Sequence, residues 1–253
     1  MSRTKEKLQR GQQALGSWIM IPHPSVAEIM AGEGFDWIAL DLEHTSAGIG
    51  DVQEAAMATK GTDCDLLARL SSCDPVEAKR ALDCGAAGII VPSVNTPEQA
   101  ALAVTMGKYP PEGIRGAALC RASGFGRNFA DYYQRHNREV TVVVMIEHRD
   151  AVERVDAILR TPGIDAALIG PYDLSASMGL SGQLAHPDVL AAQQAILDAC
   201  RRHGVAPGIF VPIDPDEVER RVAQGFRFIA CGIDTVFIQQ GCRAMLKKRA
   251  SHD

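Results

Sequence analysis

The chain has 253 residues, of which 46% are hydrophobic and 23% charged, and its formal net charge is −5. This length fits one large α/β domain or two small ones. An acidic chain without clustered basic residues lacks the surface that nucleic acid or an anionic membrane requires, so we expect neither as a partner. The charged segment 1–10 is not typical of a signal peptide, and no apolar run reaches the roughly 20 residues of a membrane span.

The cysteine pattern indicates a reducing environment. Seven cysteines occur, which is an odd number, and no two of them form a C-x-x-C pair. This pattern speaks against both a disulfide framework and a zinc cluster. We therefore expect a cytoplasmic protein.

Eight short β-rich runs recur along the chain, and most are continuous apolar stretches, as in strands buried on both faces. They are 16–21, 37–41, 66–70, 88–91, 141–146, 166–169, 206–211 and 226–231, with helical patterns between them such as 26–30, 75–82, 187–202 and 215–223. A doubly wound sheet is the alternative, but neither G-x-G-x-x-G after the first strand nor G-x-x-x-x-G-K-[ST] occurs. The pattern predicts one α/β domain over 1–253, a (β/α)8 TIM barrel that begins with a helix in residues 1–15.

One segment, residues 107–139, interrupts this rhythm. It begins with glycines and prolines and ends in a helix-like stretch at 128–137. A connection of this length covers a site or builds a subunit interface, while the alternative is a tolerated surface excursion. Arg121, within this segment, is a candidate substrate-binding residue.

Two of the apolar runs each lead to one carboxylate. The run 142–146 ends at Glu147, and the run 166–169 continues through Gly170-Pro171-Tyr172 to Asp173. An acid at the tip of a buried strand must be hydrated, paired or metal-bound. Because successive parallel strands place their tips side by side, the two acids would repel each other without a cation. The arrangement predicts a site for a hard divalent metal.

Arg69 and His44 are further candidates at the strand tips. Arg69 stands in an apolar run and cannot lose its charge, so it requires an anionic ligand or an ion pair, for example with Asp41 or Glu43. His44 ends the second strand, and beside a metal and an arginine it is a credible base, although a lone histidine is more often structural. No lysine lies inside an apolar strand, so we do not expect Schiff-base chemistry.

Together these motifs closely resemble the metal-dependent (class II) 2-oxo-acid, or pyruvate, aldolases. That family includes the 4-hydroxy-2-oxoheptanedioate and 2-dehydro-3-deoxyglucarate aldolases and belongs to the citrate-lyase β-like superfamily. The resemblance runs from about residue 16 to residue 240 in the expected order. It rests on 35–44 (FDWIALDLEH), 82–86 (LDCGA), 109–116 (YPPEGIRG), 145–147 (MIE) and 169–175 (IGPYDLS).

The resemblance implies a lyase that cleaves a 4-hydroxy-2-oxo acid to pyruvate and an aldehyde through a metal-bound pyruvate enolate. Glu147 and Asp173 would hold Mg²⁺ or Mn²⁺, with Co²⁺ also possible. The metal and Arg69 would stabilise the enolate, and His44 would move the proton. The turn at Gly170, Pro171 and Tyr172 would offer backbone N–H groups to the substrate carboxylate.

The resemblance also implies that an aspartate, here Asp83, raises the basicity of the histidine. Asp83 is predicted at the end of a helix before the fourth strand, which is the wrong end of its own barrel. We therefore infer that it acts across a subunit contact; the alternative is an ordinary surface acid. The family further implies a homo-oligomer, often a hexamer (a trimer of dimers) whose barrels exchange their last helix, and segment 241–248 is compatible with such a helix.

Two positions depart from the family pattern. Met145 stands where a glutamine is frequent, and Tyr172 stands where alanine or asparagine is common in G-P-x-D. These changes keep a second reaction open, in which oxaloacetate is a substrate and the enolate has another origin or fate: a decarboxylase, a macrophomate synthase-like enzyme, or a citrate-forming condensation of oxaloacetate with acetyl-CoA. A third alternative is a catalytically silent barrel, which predicts that a ligand or base has been lost.

Overall fold

The computed structural model describes residues 2–247, and its strands form a closed eight-stranded barrel. Each strand pairs in parallel with the next, and the last pairs with the first. The TIM-barrel prediction is therefore confirmed. The strands are β1 (Ala14–Ile19), β2 (Trp37–Asp41), β3 (Asp65–Arg69), β4 (Gly88–Val91), β5 (Thr141–Ile146), β6 (Ala166–Ile169), β7 (Ala206–Val211) and β8 (Phe228–Ile233).

The α-helices of the described residues lie outside this barrel or at its ends. They are α1 (Arg3–Gln9), α2 (Pro24–Gly32), α3 (Ile49–Ala58), α4 (Pro75–Cys84), α5 (Pro97–Gly107), α6 (Phe129–Glu139), α7 (Arg149–Glu153), α8 (Val155–Leu159), α9 (Pro171–Ser177), α10 (Pro187–His203), α11 (Pro215–Gln224) and α12 (Asp234–Leu246). Proline opens several of them at the first turn, where no N–H is required. Among the helices of residues 2–247, none combines the length and the hydropathy of a transmembrane segment.

The ends of the first and last strands differ from the prediction by two residues each. The prediction extends β1 to Ile21, but the strand ends at Ile19 because the N–H groups of Met20 and Ile21 donate to the carboxylate of Asp234 instead. The prediction begins β8 at 226, but this strand starts at Phe228. Because apolar residues lie both before and after these strand ends, the sequence gives no signal for the residue at which each strand begins or ends.

The helix predicted within residues 1–15 is shorter than that stretch, because α1 ends at Gln9 and β1 begins at Ala14. This helix packs against the amino-terminal end of the barrel. Lys5 is buried there, with its Nζ 3.1 Å from Asp165 Oδ2 and 2.7 Å from the carbonyl oxygen of Val140. The helix thus closes the end of the barrel opposite the strand tips.

Aromatic rings fill the barrel interior. The indole of Trp37 stacks on Phe228 with ring centres 4.3 Å apart, and it meets Trp18 edge-on at 6.0 Å. Gly16 makes room for this stack, since a Cβ at that position would lie 2.0 Å from the Trp37 ring. Offset and edge-on aromatic contacts add to the burial of large apolar surface. The interior is therefore a packed core that supports the strand tips above it.

The inserted segment lies at the same end as α1. After α5, the chain passes through a short 3₁₀ turn (Arg121–Ser123) and α6, which leads into β5 at its amino-terminal end. Arg115 anchors the segment: its fully buried guanidinium pairs with Asp83 at 2.6 Å and stands over the Tyr109 ring. The segment therefore does not cover the strand tips of its own barrel.

The last helix leaves the barrel wall. Only the first residues of α12 pack on the chain, with the Phe237 ring 6.3 Å from Phe35, and every residue from 238 to 247 is exposed. An apolar groove of about 580 Å³ lies beside it, and Leu15, Val218 and Val222 are among its lining residues. The predicted tail helix 241–248 agrees with α12, except that residue 248 lies outside the described part.

Candidate active site

Arg69 is the centre of a charged cluster where β2 and β3 end. Its Nη1 lies 3.2 Å from Asp41 Oδ2, and its Nη2 pairs with Glu43 and lies 3.2 Å from His44 Nε2. The guanidinium also stands 5.3 Å from the ring centre of Trp18. Arg69 is nearly buried, so these contacts compensate the loss of its hydration. Arg69 thus forms ion pairs with both Asp41 and Glu43, as the ion-pair interpretation expected. The same guanidinium also lines a cavity at this end of the barrel, which is described below.

Asp41 fixes the turn that presents His44. Its Oδ1 accepts hydrogen bonds from the backbone N–H groups of Glu43 (2.8 Å) and His44 (3.1 Å). The His44 side chain is 54% exposed, so it is accessible from the mouth of the barrel. His44 Nε2 also lies 3.5 Å from Glu43 Oε2, so the ring stands beside both the Arg69 cation and a carboxylate.

Glu147 follows β5 and is held on one side only. Its Oε1 accepts from the N–H of Ser93 at 2.7 Å and from the Ser93 hydroxyl at 3.2 Å. Ser93 has φ 52°, in the left-handed region that non-glycine residues rarely adopt, and this conformation directs its N–H at the carboxylate. Burial raises the pKa of Glu147, and the nearby Asp173 and Glu43 raise it further, while the Ser93 N–H and Arg69 act in the opposite direction.

The second oxygen of Glu147 is suited to a metal ion. Oε2 is buried and has no hydrogen-bond partner. Gly170 leaves the space beside it open, since a Cβ there would lie 2.7 Å from Oε2. Among residues 2–247, no cluster of three or more acidic, histidine or cysteine side chains could ligate a metal. Two carboxylates with open positions suit Mg²⁺, which keeps several waters. The residues present therefore fit a divalent ion.

The turn after β6 brings Asp173 to the same end of the barrel. Pro171 opens α9, so Tyr172 and Asp173 lie in its first turn, where backbone N–H groups have no intrahelical acceptor. Pro171 is buried, whereas the ring of Tyr172 is 54% exposed at the mouth of the pocket. The sequence-predicted residues Gly170, Pro171, Tyr172 and Asp173 thus line one wall together.

A cavity of about 170 Å³ lies between these groups at the carboxyl end of the barrel. Its lining combines the charged groups with apolar side chains: Trp18, Met20, Asp41, His44, Arg69, Met145, Leu168, Gly170, Pro171, Tyr172, Asp173, Phe210 and Ile233. An adjoining cavity of about 290 Å³ is lined by Glu43, Ser93, Asn95, Glu147 and His148, among others. In TIM-barrel enzymes this end of the barrel carries the active site.

Asp83 and Arg121 lie at the other end. Asp83 closes α4 and pairs with Arg115, and its carboxylate remains partly exposed. Arg121 donates to the carbonyl oxygens of Cys84 (2.9 Å) and Ala56 (2.8 Å), which terminate two outer helices. Neither side chain reaches the cavity of its own chain.

Sequence reasoning missed several residues of the site. Ser93 carries no sequence signal for its positive φ, which depends on the packing of the β4 tip. Trp18, Met20, Phe210 and Ile233 read as ordinary apolar residues of strands or their ends. Only closure of the barrel brings β1, β7 and β8 to the same cavity as Arg69.

Arg69, His44, Glu147 and Asp173 lie at the carboxyl end of a TIM barrel, where the enzymes of this fold class carry their active sites. Residues 14–240 match the family described as HpcH/HpaI aldolase/citrate lyase. The chain belongs to this family. The predictions of family and of an aldolase-type lyase are confirmed, and the family is generally dependent on a divalent metal.

Three similar proteins illustrate the match. The 5-keto-4-deoxy-D-glucarate aldolase of Escherichia coli (strain K12) is 38% identical over 234 residues, which cover 92% of this chain and 91% of the relative. A crystal structure of an HpcH/HpaI aldolase/citrate lyase family protein from Burkholderia cenocepacia J2315 has a TM-score of 0.94 and 33% identity, and covers 99% of this chain and 100% of its own. Macrophomate synthase has a TM-score of 0.85 and 27% identity over 98% of this chain and 88% of its own.

Proposed function

We propose that the chain cleaves a 4-hydroxy-2-oxo acid to pyruvate and an aldehyde with the help of a divalent metal ion. The observation that carries this proposal is the buried, unpartnered Oε2 of Glu147 beside the Asp173 carboxylate, at the end of the barrel that also holds Arg69 and His44. The similarity to 5-keto-4-deoxy-D-glucarate aldolase supports the same reaction type.

In this proposal Glu147 and Asp173 hold the metal, which is Mg²⁺ or Mn²⁺, with Co²⁺ as a further candidate. When bound, the metal acts as a Lewis acid that lowers the energy of the negative charge developing on the substrate oxygen. The first-turn N–H groups of Tyr172 and Asp173 would bind the substrate carboxylate. Arg69, held rigidly by its ion pairs with Asp41 and Glu43, would donate to the 2-oxo oxygen.

His44 moves the proton in this scheme. It accepts the proton of the C4 hydroxyl, and the oxygen electrons form the C=O bond of the aldehyde. The C3–C4 bond breaks, and its electron pair forms the C2=C3 bond. At the same time, the π electrons of the 2-oxo group move onto its oxygen. Proton return to C3 then gives pyruvate. The exposed position of His44 near Arg69 allows it to reach the hydroxyl group.

Asp83 is proposed to act on His44 of a second copy of the chain. Asp83 and Arg121 both lie at the end of the barrel opposite the cavity, so they reach an active site only across a subunit contact. Asp83→Asn is expected to shift the pH–rate profile, because a neutral amide no longer favours the protonated histidine. Asp131→Asn, an exposed acid on α6, is the matched control, and an unchanged profile in Asp83→Asn contradicts the role.

We also propose a homo-oligomer, in the form of a hexamer of three dimers. The exposed face of α12, which includes Ile238, Met245 and Leu246, supports this assembly, because the last nine residues of the helix, 238–246, are exposed and have no packing partner within residues 2–247. The uncovered groove at Val218 and Val222 offers a complementary surface of matching chemistry. The cytoplasmic location stays a prediction, and the seven free cysteines agree with it.

A second candidate function starts from oxaloacetate. Met145 and Tyr172 both line the cavity, and the similarity to macrophomate synthase keeps this alternative open. The enolate would then form by loss of CO₂ from oxaloacetate. In the condensation, the methyl carbon of acetyl-CoA would instead lose a proton and attack the 2-oxo carbon of oxaloacetate, and hydrolysis of the thioester would release citrate and CoA. Product analysis from oxaloacetate, with and without acetyl-CoA, distinguishes these reactions from aldol cleavage.

The first experiment follows deuterium exchange into the methyl group of pyruvate by NMR, first in EDTA and then with excess Mg²⁺ or Mn²⁺. The proposal expects exchange only with metal, and loss of exchange in Glu147→Ala and Asp173→Ala. If no metal supports exchange, the pyruvate-aldolase proposal fails and oxaloacetate becomes the next substrate to test.

A further inference from the structure

Asp83 occupies a position that its own helix disfavours. It lies in the last turn of α4, which ends at Cys84 and is followed by Gly85 in the left-handed conformation. The carbonyl groups at a helix carboxyl terminus carry partial negative charge, so they repel a carboxylate placed there. No basic residue of α4 lies in this turn to offset the repulsion. The acid therefore requires a cation from another part of the chain.

Arg115 of the inserted segment supplies this cation. Its Nη2 donates to Asp83 Oδ1 at 2.6 Å, and its side chain has no exposed surface. The other arm of the guanidinium, Nη1, donates to the Tyr132 hydroxyl at 3.0 Å, and the group lies 4.6 Å from the centre of the Tyr109 ring. Because the planar guanidinium is held on both sides, it fixes the direction in which the Asp83 carboxylate points.

A second arginine of the same segment holds the backbone next to Asp83. Arg121 donates to the carbonyl oxygen of Cys84 at 2.9 Å and to that of Ala56 at 2.8 Å. Gly85 leaves room for this contact, since a Cβ there would lie 2.2 Å from Arg121 Nη1. The inserted segment therefore fixes both the side chain and the main chain at the end of α4.

Stability alone does not explain this arrangement. Burial of an arginine removes it from water at a large cost, and an apolar pair of similar volume is often at least as stable as a buried ion pair. The Nε of Arg115 is buried and has no hydrogen-bond partner in the part of the chain that the structure describes. Asp83 Oδ2, by contrast, is accessible and accepts no hydrogen bond from residues 2–247, and the side chain is 20% exposed. Arg115 thus holds one oxygen of a carboxylate whose other oxygen remains available.

We propose that Arg115 is a positioning residue, which orients Asp83 so that its Oδ2 reaches His44 of a second copy of the chain. This inference rests on the proposed function, and in particular on the role proposed for Asp83. It gives the inserted segment a task, the support of Asp83. A carboxylate acts strongly on a histidine only at close range, because solvent screens the interaction at longer distances. Rotation of the Asp83 side chain would therefore remove most of its effect.

The alternative is that Arg115 only ties the inserted segment to α4. A structural arginine contributes to activity whether or not Asp83 carries a charge. A positioning arginine, in contrast, contributes only through Asp83. A double-mutant cycle between the two residues distinguishes these roles, because it measures whether their effects are independent.

The test follows deuterium exchange into the methyl group of pyruvate, with Mg²⁺ or Mn²⁺ at saturation, in the wild type, Arg115→Gln, Asp83→Asn and the double variant. We expect Arg115→Gln to lower the maximal exchange rate by about tenfold or more and to change KM for pyruvate by less than about twofold. In the Asp83→Asn background, the same substitution should cause less than about a twofold further loss. Equal losses in both backgrounds, or no loss with Asp83 present, overturn the inference.

Two further variants control for charge and for folding. Arg138→Gln, which removes an exposed cation from α6, should leave the exchange rate unchanged. Arg115→Lys keeps the cation but lacks the planar guanidinium, so it decides the question if Arg115→Gln does not fold. We expect it to lose at least about threefold in exchange rate with Asp83 present and nothing in Asp83→Asn. A wild-type rate in Arg115→Lys overturns the inference.

The pH profile of the exchange rate is a readout that a purely structural role would not change. The charged groups of its own chain that face His44 are the same in every variant: Asp41, Glu43, Arg69 and Asp173. A misdirected Asp83 no longer favours the protonated histidine, so the acidic limb should move to lower pH in Arg115→Gln, as in Asp83→Asn. Removal of a cation without loss of orientation would move it to higher pH. That result, or an unchanged profile, overturns the inference.

The same measurements distinguish this inference from the proposals on which it rests. No metal-dependent exchange in the wild type overturns the proposed function itself. A wild-type rate and pH profile in Asp83→Asn overturn the role of Asp83, and the inference with it. A clear effect of Asp83→Asn without an effect of Arg115→Gln overturns the inference alone.

Discussion

Each of two buried charges of the site, Arg69 and Glu147, leaves one polar atom without a partner. Arg69 has both Nη groups engaged by carboxylates but its Nε unpaired, while Glu147 has one oxygen bound by Ser93 and the other without a partner. A buried polar atom without a partner costs free energy, and native proteins retain such atoms mainly where function requires them. We therefore expect a ligand to complete both groups, through the Nε donor of Arg69 and the Oε2 acceptor of Glu147.

The first prediction concerns Glu147→Gln. The amide is neutral and a poor metal ligand, so the metal contribution of several kcal/mol is lost and the rate of pyruvate exchange falls by more than about 100-fold. In EDTA, however, the variant should be at least as stable as the wild type, because an incompletely paired buried carboxylate has been removed. Urea denaturation with and without Mg²⁺ measures this difference.

Added metal is expected to stabilise the wild type but not Glu147→Gln, since only a bound ligand shifts the unfolding equilibrium. Glu28→Gln, on the exposed surface of α2, is the control for a carboxylate-to-amide change elsewhere. If Mg²⁺ stabilises Glu147→Gln as much as it stabilises Glu28→Gln, Glu147 is not a metal ligand.

At the scale of elements, the inserted segment is held by an unusual buried cluster. Arg115 contacts Asp83, the hydroxyl of Tyr132 (3.0 Å) and the ring of His136, and His136 Nε2 lies 2.7 Å from the carbonyl oxygen of Gly107. The cluster joins α4, α5 and α6. It makes the segment a fixed part of the barrel end rather than a loose excursion.

This cluster predicts a pH dependence of stability. Burial, together with the Arg115 cation, lowers the pKa of His136 to about 4. Between pH 6.5 and 4 the unfolded chain binds a proton that the folded chain does not, so the free energy of unfolding falls as the pH falls. The loss is at most about 3 kcal/mol, at about 1.4 kcal/mol for each unit of pKa.

Urea denaturation at pH 7.5 and pH 4.5 measures this loss. His136→Gln is expected to be less stable than the wild type at pH 7.5, but to lose less stability on acidification because it has no imidazole to protonate. If the wild type and His136→Gln lose equal stability over this range, His136 is not the group responsible.

For the molecule as a whole, one helix and one groove have no packing partner among the described residues, 2–247. The exposed surface of α12 and the apolar groove beside Phe237 are of similar character, yet α12 contacts only the rim of that groove. Soluble monomers rarely leave such surfaces open, and a symmetric assembly covers them. The active site depends on the same assembly if Asp83 acts across it.

Val222→Asp, in the groove, is therefore expected to weaken the oligomer. A carboxylate placed in a buried apolar contact has no partner and costs several kcal/mol. Analytical ultracentrifugation should show a shift to smaller species, while Ile29→Asp, on an exposed face outside the groove, should not change the assembly. A hexamer that persists in Val222→Asp contradicts the role of the groove, and a monomeric wild type contradicts the oligomer altogether.

The amino-acid pattern alone predicts the barrel and the identity of its main polar groups. The continuous apolar runs indicate the number of strands. The charged residues at their ends, such as Glu147 and Arg69, indicate the site, because a buried parallel strand tolerates a charge only at its tip. The carboxyl-terminal glycines of helices, such as Gly85 (φ 108°) and Gly225 (φ 110°), mark the return to the next strand. These signals are local, so they can be recognised in the sequence without knowledge of the tertiary contacts.

Which of these groups meet depends on the folded chain. The cavity at the strand tips combines residues that are more than 200 positions apart, such as Trp18 and Ile233, and closure of the barrel brings them together. The positive φ of Ser93 and the two-residue shift of β1 likewise result from long-range contacts with Glu147 and Asp234. Residue types indicate what chemistry is available, but the distances between distant segments depend on packing, which no local pattern encodes.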